Sequence, residues 1–122
     1  MPLTIETVTI DCADGPSLAG FWMAALGYEL AASDGDWRLI ADPAGRGVKL
    51  ALDPVPEGKV VKNRVHLDIF PTEPGPDAWV AEVHRLVTLG ATRYRYLAET
   101  PDEAHWILRD PEGNEFCCVL RR

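Results

Sequence analysis

The sequence of 122 residues has no apolar run near the ~18 residues that a membrane-spanning helix requires. Its N-terminus shows neither the basic segment nor the apolar segment of a secretory signal peptide. Only three cysteines occur, Cys12, Cys117 and Cys118, and none are spaced as CxxC. These absences predict a cytoplasmic protein with reduced thiols that does not enter a membrane.

Positive charge is scarce as well. There are 12 lysines and arginines against 19 acidic residues, which gives a net charge of −7. The basic residues are scattered, and their single local cluster is short (Lys59, Lys62 and Arg64). A surface that follows a phosphate backbone needs a basic stripe, so nucleic acid is not expected as a partner. An acidic membrane surface would repel the chain, whereas a cationic ligand would suit its net charge.

Familiar catalytic motifs are also missing, because the sequence contains no glycine-rich phosphate loop, no GxSxG and no HExxH. What is present is an ordinary globular composition, with 47% apolar and 25% charged residues. The length fits one domain, 1–122.

The first half contains a strand, a helix and further strands. Residues 7–12 alternate polar and apolar side chains, which predicts a half-buried strand. An apolar stripe runs from Leu18 to Leu26 at helical spacing, and Gly27 ends the helix. Strands are predicted at 37–41 and 48–52. Pro54 is expected to interrupt the ladder, so that residues 55–62 form a linker.

The second half repeats this order. Residues 64–70 alternate and predict a strand, and Asp77 is expected to cap a helix that ends at Gly90. Strands are predicted at 94–97, 106–109 and 115–120. His105 is placed in a loop, and the acidic residues 99–103 form an exposed loop before it.

Three sequence matches occur in the same order in both halves. Residues 8–11 (VTID) match 65–68 (VHLD), the LG pair at 26–27 matches 89–90, and 42–45 (DPAG) match 110–113 (DPEG). Ordered matches predict an internal duplication. The fold class is therefore α+β, with two βαβββ modules at about 4–54 and 63–122. Each sheet would keep one face free of its helix, and the two sheets could share a concave space for a ligand.

Two of these segments resemble a known family. Residues 21–28 (FWMAALGY) and the hairpin at 110–117 (DPEGNEFC) are similar to motifs of the vicinal-oxygen-chelate superfamily. That superfamily includes glyoxalase I, bleomycin-resistance proteins, fosfomycin-resistance enzymes and extradiol dioxygenases. Residues 62–68 (KNRVHLD) together with the EFC of the hairpin resemble its glyoxalase-like subgroup. The resemblance implies the same fold, a small-molecule ligand and a homodimer.

Metal-dependent members of that superfamily place a ligand on the first and last strand of each half. The resemblance carries these places to the following positions: Thr7, Ala51 or its neighbours Lys49 and Asp53, His66, and Cys117, where the family has Glu. Only His66 keeps a ligand type. We therefore expect a degenerate metal site and no cofactor. The alternative is a divalent metal, with zinc held by His66, Cys117 and Asp53.

Two sets of candidate site residues follow. His66 and Asp68 are predicted as catalytic, because a histidine oriented by a carboxylate can act as a base. The predicted ligand-binding residues are Thr7, Thr9, Asp11, Trp37, Asp53, Trp106 and Cys117.

Each of these residues also has a structural interpretation. The two tryptophans can be core residues and the cysteine an inert thiol. His66 can simply be bonded to Asp68 or Asp11. The repeated carboxylates can form ion pairs, for which the candidate partners are Lys49, Arg38 and Arg64.

Three functions remain open at this point. The first is a small-molecule-binding protein that sequesters or acts on a small polar ligand without a metal. The second is a lyase or isomerase that uses His66 as base or metal ligand. The third is a regulatory or interaction module without ligand chemistry.

Overall fold

Alternation of polar and apolar residues places one strand at the start of each half. A computed structural model describes residues 2–98, 100 and 103–122, and within them the chain forms two helices and eight strands. The chain divides into two compact units, and the boundary between them falls between Gly58 and Lys59, inside the segment predicted as a linker. Of the predicted acidic loop, positions 99, 101 and 102 lie outside the described residues.

The first unit is one βαβββ module. Its elements are β1 (Thr7–Cys12), α1 (Gly15–Leu26), β2 (Glu29–Asp34), β3 (Trp37–Ala41) and β4 (Lys49–Pro54). The sheet order is β1-β4-β3-β2, in which β1 runs parallel to β4 and the other neighbours are antiparallel.

The second unit has the same topology. Its elements are β5 (Asp68–Ile69), α2 (Pro76–Leu89), β6 (Thr92–Leu97), β7 (His105–Arg109) and β8 (Glu115–Val119). The sheet order is β5-β8-β7-β6, again with a single parallel pair, β5 with β8. The predicted α+β fold of two βαβββ modules is confirmed.

Each helix packs on one face of its own sheet. In the first unit the buried helix residues Leu18, Phe21 and Trp22 lie over strands that bury Ile40 and Leu52. The second unit buries a corresponding set: Trp79, Val83 and Leu86 from α2, and Leu108, Phe116 and Cys118 from the strands. Because side chains alternate along a strand, the intervening residues point to the sheet face that the helix leaves uncovered. Below, this surface is called the open face of each sheet.

The two helices begin differently. Asp14 caps α1, since its side chain accepts a hydrogen bond from the Ser17 N–H at 3.1 Å. The predicted cap of α2 is wrong, because Gly75 occupies the N-cap and Asp77 lies inside the first turn. There its negative charge still favours the positive end of the helix dipole.

Three strand predictions also need correction. Strand β2 was not predicted, because all six of its residues are exposed and leave no alternation to read. Pro54 does not interrupt the ladder but ends β4 opposite Cys12. The Val55 N–H makes the next bond to the Cys12 carbonyl at 2.8 Å, so the missing N–H of the proline costs no ladder bond. His105 belongs to β7 rather than to a loop.

The strand predicted at 64–70 is the largest error of this kind, since only Asp68 and Ile69 are paired as a strand. Val65, one of the apolar residues of that alternation, is 78% exposed. Upstream of the strand, the Asn63 N–H donates to the side chain of Glu115 at 2.9 Å instead of to a backbone carbonyl. Among the described residues, no helix has both the length and the apolar character to cross a membrane.

Candidate functional site

Three of the predicted site residues come together on the open face of the second sheet. The parallel register places Asp68 beside Cys117, and His66 precedes Asp68 by two residues, on the same side of the chain. One ligand atom from each of the three lies within 4.8 Å of the other two. This set is called the His66–Asp68–Cys117 cluster below.

Asp68 is the shared partner within the cluster. Its Oδ1 lies 3.3 Å from His66 Nε2, and both side chains are accessible, with 41% of His66 and 56% of Asp68 exposed. The Cys117 thiol is buried beneath them. Burial raises the pKa of Cys117 to about 11, helped by the charge of Asp68 and by the hydrogen bond to its carboxylate, while the charge of Lys62 opposes the rise. At neutral pH the thiol is therefore protonated and donates to Asp68.

A buried carboxylate continues this face of β8. Glu115 lies two residues before Cys117, and its side chain is only 4% exposed. Lys59 Nζ lies 3.1 Å from its Oε1, and Arg109 Nε lies 3.5 Å from its Oε2. Burial alone would raise the pKa of Glu115. The hydrogen bonds from the Asn63 N–H and from Lys59 outweigh that effect and lower the pKa to about 2.

Next to Glu115 the second unit has a cavity of about 440 Å³. Its charged and aromatic lining consists of Lys59, Lys62, Tyr94, Arg109, Glu112 and Glu115. The guanidinium of Arg109 lies over the ring of Tyr94, 3.9 Å from its centroid. Sequence reasoning missed Glu115, Lys59 and Arg109 as site residues. The signal available for Glu115 was its spacing of two from Cys117, which puts both on one face of a strand.

The remaining candidates of the first unit lie on the open face of the first sheet. Thr7, Thr9 and Asp11 are exposed along β1, on the side that alternates with the helix-facing residues. Asp53 is the register partner of Asp11. Trp37 lies one residue before Arg38, the partner of Leu52, and so shares the face of Asp53 rather than that of the buried Leu52.

The structure places the two candidate carboxylates as follows. Asp68 pairs with His66 rather than with a lysine or arginine, and it is the carboxylate that lies beside His66 and Cys117. Asp53, named in the alternative zinc set, lies on β4 of the first unit. Both the functional and the structural interpretation of His66 included its bond to Asp68, so this contact does not separate them.

Trp106 does not join the cluster. It is paired with Cys118, whose side chain is buried on the α2 side of the sheet and lies near Glu82 of that helix. Its ring contacts Tyr96 at 5.5 Å between centroids, and Tyr96 in turn lies 6.2 Å from Trp79 of α2. This placement favours the core interpretation of Trp106. Trp37 precedes its DPxG turn by five residues and Trp106 by four, so the two tryptophans point to opposite faces.

The comparison with protein families fits this architecture. A family model described as a glyoxalase-like domain matches residues 7–119. The chain belongs to this family. The His66–Asp68–Cys117 cluster lies on the second module of this glyoxalase-like fold. A search of curated proteins finds no match to the chain.

Solved structures show the same fold at low sequence identity. A glyoxalase/bleomycin resistance protein/dioxygenase family enzyme from Burkholderia phytofirmans PsJN is 18% identical, with a TM-score of 0.76 over 96% of this chain and 98% of that one. A possible glyoxalase from Bacillus cereus is 15% identical, with a TM-score of 0.72 over 97% and 99%. A superfamily member from Sphaerobacter thermophilus DSM 20745 is 16% identical, with a TM-score of 0.70 over 98% of each chain. At these identities the likeness concerns the fold alone.

Proposed function

We propose that this glyoxalase-like protein binds a small polar organic molecule at the His66–Asp68–Cys117 cluster, and that His66 serves as its base or anchor. The observation that supports this proposal is the convergence of an imidazole, a carboxylate and a thiol within 4.8 Å on the open face of one sheet. A set of polar groups directed at one accessible point is typical of small-molecule sites.

The roles within the cluster follow from its bonds. Asp68 holds Nε2 of His66, which leaves Nδ1 to accept a proton or a hydrogen bond from a ligand. When the imidazole takes up a proton, the adjacent carboxylate stabilises the resulting charge. Cys117, protonated at neutral pH, orients Asp68 as a donor and is not suited to be a nucleophile.

A second candidate function is a lyase or isomerase that uses a metal at the same three residues. Their donor atoms are one nitrogen, one oxygen and one sulfur, a set that suits zinc and not magnesium. Three protein ligands would leave a position open, as in catalytic zinc sites. Bound there, zinc would polarise a ligand oxygen. His66, Asp68 and Cys117 would be the residues that hold it.

One experiment with two parts tests both candidates, using His66→Ala and the matched control His84→Ala, an exposed histidine on α2. The first part measures the metal content of protein purified without chelator and its melting temperature during titration with zinc chloride. Bound zinc, or a rise in melting temperature that His66→Ala abolishes and His84→Ala keeps, would favour the metal enzyme.

The second part is an NMR screen of small carbonyl and hydroxyl compounds against the metal-free protein. The proposal expects amide shifts around His66, Asp68 and Cys117 that His66→Ala removes and His84→Ala keeps. A protein that responds to neither zinc nor any of these compounds at the cluster would contradict both candidates and favour a regulatory or interaction module.

Homodimer formation and cytoplasmic location stay predictions. The first rests on the resemblance of this chain to a superfamily whose members commonly dimerise. Light scattering on the purified protein measures its mass directly. A mass of one chain at micromolar concentration would contradict the homodimer.

A further inference from the structure

The cavity beside Glu115 differs in charge from the chain as a whole. Its lining includes three cations, Lys59, Lys62 and Arg109, against the two carboxylates Glu112 and Glu115. The chain carries a net charge of −7. A ligand responds to the local potential in a cavity more than to the total charge, so the cationic ligand suggested by net charge does not suit this site.

The three cations are not equally engaged. Lys59 and Arg109 both pair with Glu115, and Arg109 is further fixed over the ring of Tyr94. Among the ion pairs of the described residues, none includes Lys62. Lys62 is exposed, and its charge still reaches the Cys117 thiol. Lys62 thus supplies the one positive charge by which the lysines and arginine of the lining outnumber its carboxylates.

The other walls of the cavity suit an apolar body. Tyr94 is 51% exposed and Val60 is 90% exposed, although both have large apolar surfaces. A volume of about 440 Å³ accommodates a molecule of one or two rings. The cluster lies close by, because Glu115 lines the cavity and Cys117 follows it by two residues on the same face.

We propose that the ligand of this protein is a small organic acid whose anionic group is held by Lys62 at the cavity, with its apolar body against Tyr94 and Val60. Its remaining polar groups would then reach the His66–Asp68–Cys117 cluster. This inference rests on the proposed function, since it names the class of ligand for that site.

The test is an NMR titration of labelled protein at fixed ionic strength with three probes of one shape: benzoate, neutral benzyl alcohol and cationic benzamidine. We expect benzoate to bind most tightly and to shift the amides of Lys62, Tyr94 and Gly113. Lys62→Gln should weaken benzoate binding roughly tenfold, the effect of losing one charge-assisted hydrogen bond. Lys62→Arg should restore it.

The matched control is Arg46→Gln, which removes a positive charge from the exposed turn of the first unit. It should leave benzoate binding unchanged. Benzyl alcohol or benzamidine binding as tightly as benzoate, no binding of benzoate at millimolar concentration, or equal effects of Lys62→Gln and Arg46→Gln would each overturn the inference.

The two proposals fail in distinguishable ways. If benzoate shifts the cavity amides and responds to Lys62→Gln but not to His66→Ala, the anion site stands and the role proposed for the cluster falls. If neutral compounds shift the cluster amides in a manner that depends on His66 and not on Lys62, the proposed function stands and the anion inference falls.

Discussion

The two units share one topology but differ on the open faces of their sheets. The registers pair Asp11 with Asp53 in the first unit and Asp68 with Cys117 in the second. Since 8–11 match 65–68 in sequence, Asp11 corresponds to Asp68 and Asp53 to Cys117.

Two residues earlier in the chain at each of these positions, the same correspondence gives a second set. Thr9 and Ala51 of the first unit lie where the second has His66 and Glu115. The buried residues on the helix-facing side stay apolar in both units, Ile40 and Leu52 in the first and Leu108 and Phe116 in the second. The core depends on these residues and leaves the open face free to differ. Both units carry titratable groups at the first pair of positions, whereas only the second unit carries them at the positions of Thr9 and Ala51.

The first strands of the two units also differ, in the number of residues that they pair. All six residues of β1 pair with β4, whereas β5 pairs with β8 through two residues. In the second unit the chain before β5 is bonded to Glu115 through the Asn63 N–H and through Lys59. Bonds to the buried charge of Glu115 therefore stand in the second unit where the first unit has hydrogen bonds between strands. The contribution of these bonds to stability can be tested.

The largest effect is expected from Glu115→Ala, which gives the second unit the alanine that the first has at Ala51. Removing one partner of a buried ion pair should lower the free energy of unfolding by about 3 kcal/mol, the lower end of the usual range because Lys59 and Arg109 are partly exposed. The matched control is Asp53→Ala, a half-buried carboxylate of the first unit for which less than about 1 kcal/mol is expected. Urea unfolding measures both, and equal losses would mean that Glu115 is no more structural than Asp53.

The contribution of the Glu115 charge to stability should also appear when the pH is lowered. The pKa of Glu115 is lowered to about 2 in the folded protein from an ordinary value of 4.5. Its contribution to stability is therefore present above pH 4.5 and is lost as the pH falls from 4.5 towards 2. Between pH 6 and pH 3 the stability gap between wild type and Glu115→Gln should narrow by roughly 2 kcal/mol. A gap that stays constant in urea unfolding at both pH values would refute the lowered pKa.

The elements that sequence predicted well are those in which the pattern reports burial. Strand β1 and helix α1 alternate or repeat apolar residues against a buried face, and both were located from that period. Strand β2 has no buried residue, so no pattern could indicate it. Residues 64–70 do alternate polar and apolar side chains, as a strand would. The length of the paired strand depends instead on contacts with Glu115, a residue about 50 positions away in the chain, and no local pattern reports them.

The candidate site likewise has residues that the sequence pattern could group and contacts that it could not predict. His66, Asp68 and Cys117 could be grouped because strand alternation and the resemblance put them on one face, although their role stays a prediction. The ion pairs of Lys59 and Arg109 with Glu115 depend on tertiary contacts, and sequence spacing carries no sign of them. Trp37 and Trp106 differ by one residue in their distance from the DPxG turn, and this difference places their side chains on opposite faces of their sheets.

Effects of about the same size or smaller are expected at Gly15 and Gly75, the glycines at the start of the two helices, which are needed for different reasons. A Cβ on Gly15 of α1 would lie 1.9 Å from the backbone oxygen of Asp36, whereas Gly75 before α2 has open space but a φ of 96°. Gly15→Ala should lower the free energy of unfolding by about 2 kcal/mol through overpacking, and Gly75→Ala by about 1–2 kcal/mol through backbone strain.

The control for both is Gly20→Ala, at an exposed position inside α1 where the added Cβ meets nothing within 4 Å apart from its chain neighbours and the helix backbone around it. Here the substitution should raise stability by about 0.5–1 kcal/mol, because alanine loses less backbone entropy than glycine in a helix. The melting temperatures of the three variants, measured by thermal unfolding, rank their stabilities. If Gly15→Ala were as stable as Gly20→Ala, the close approach of α1 to the turn before β3 would be absent.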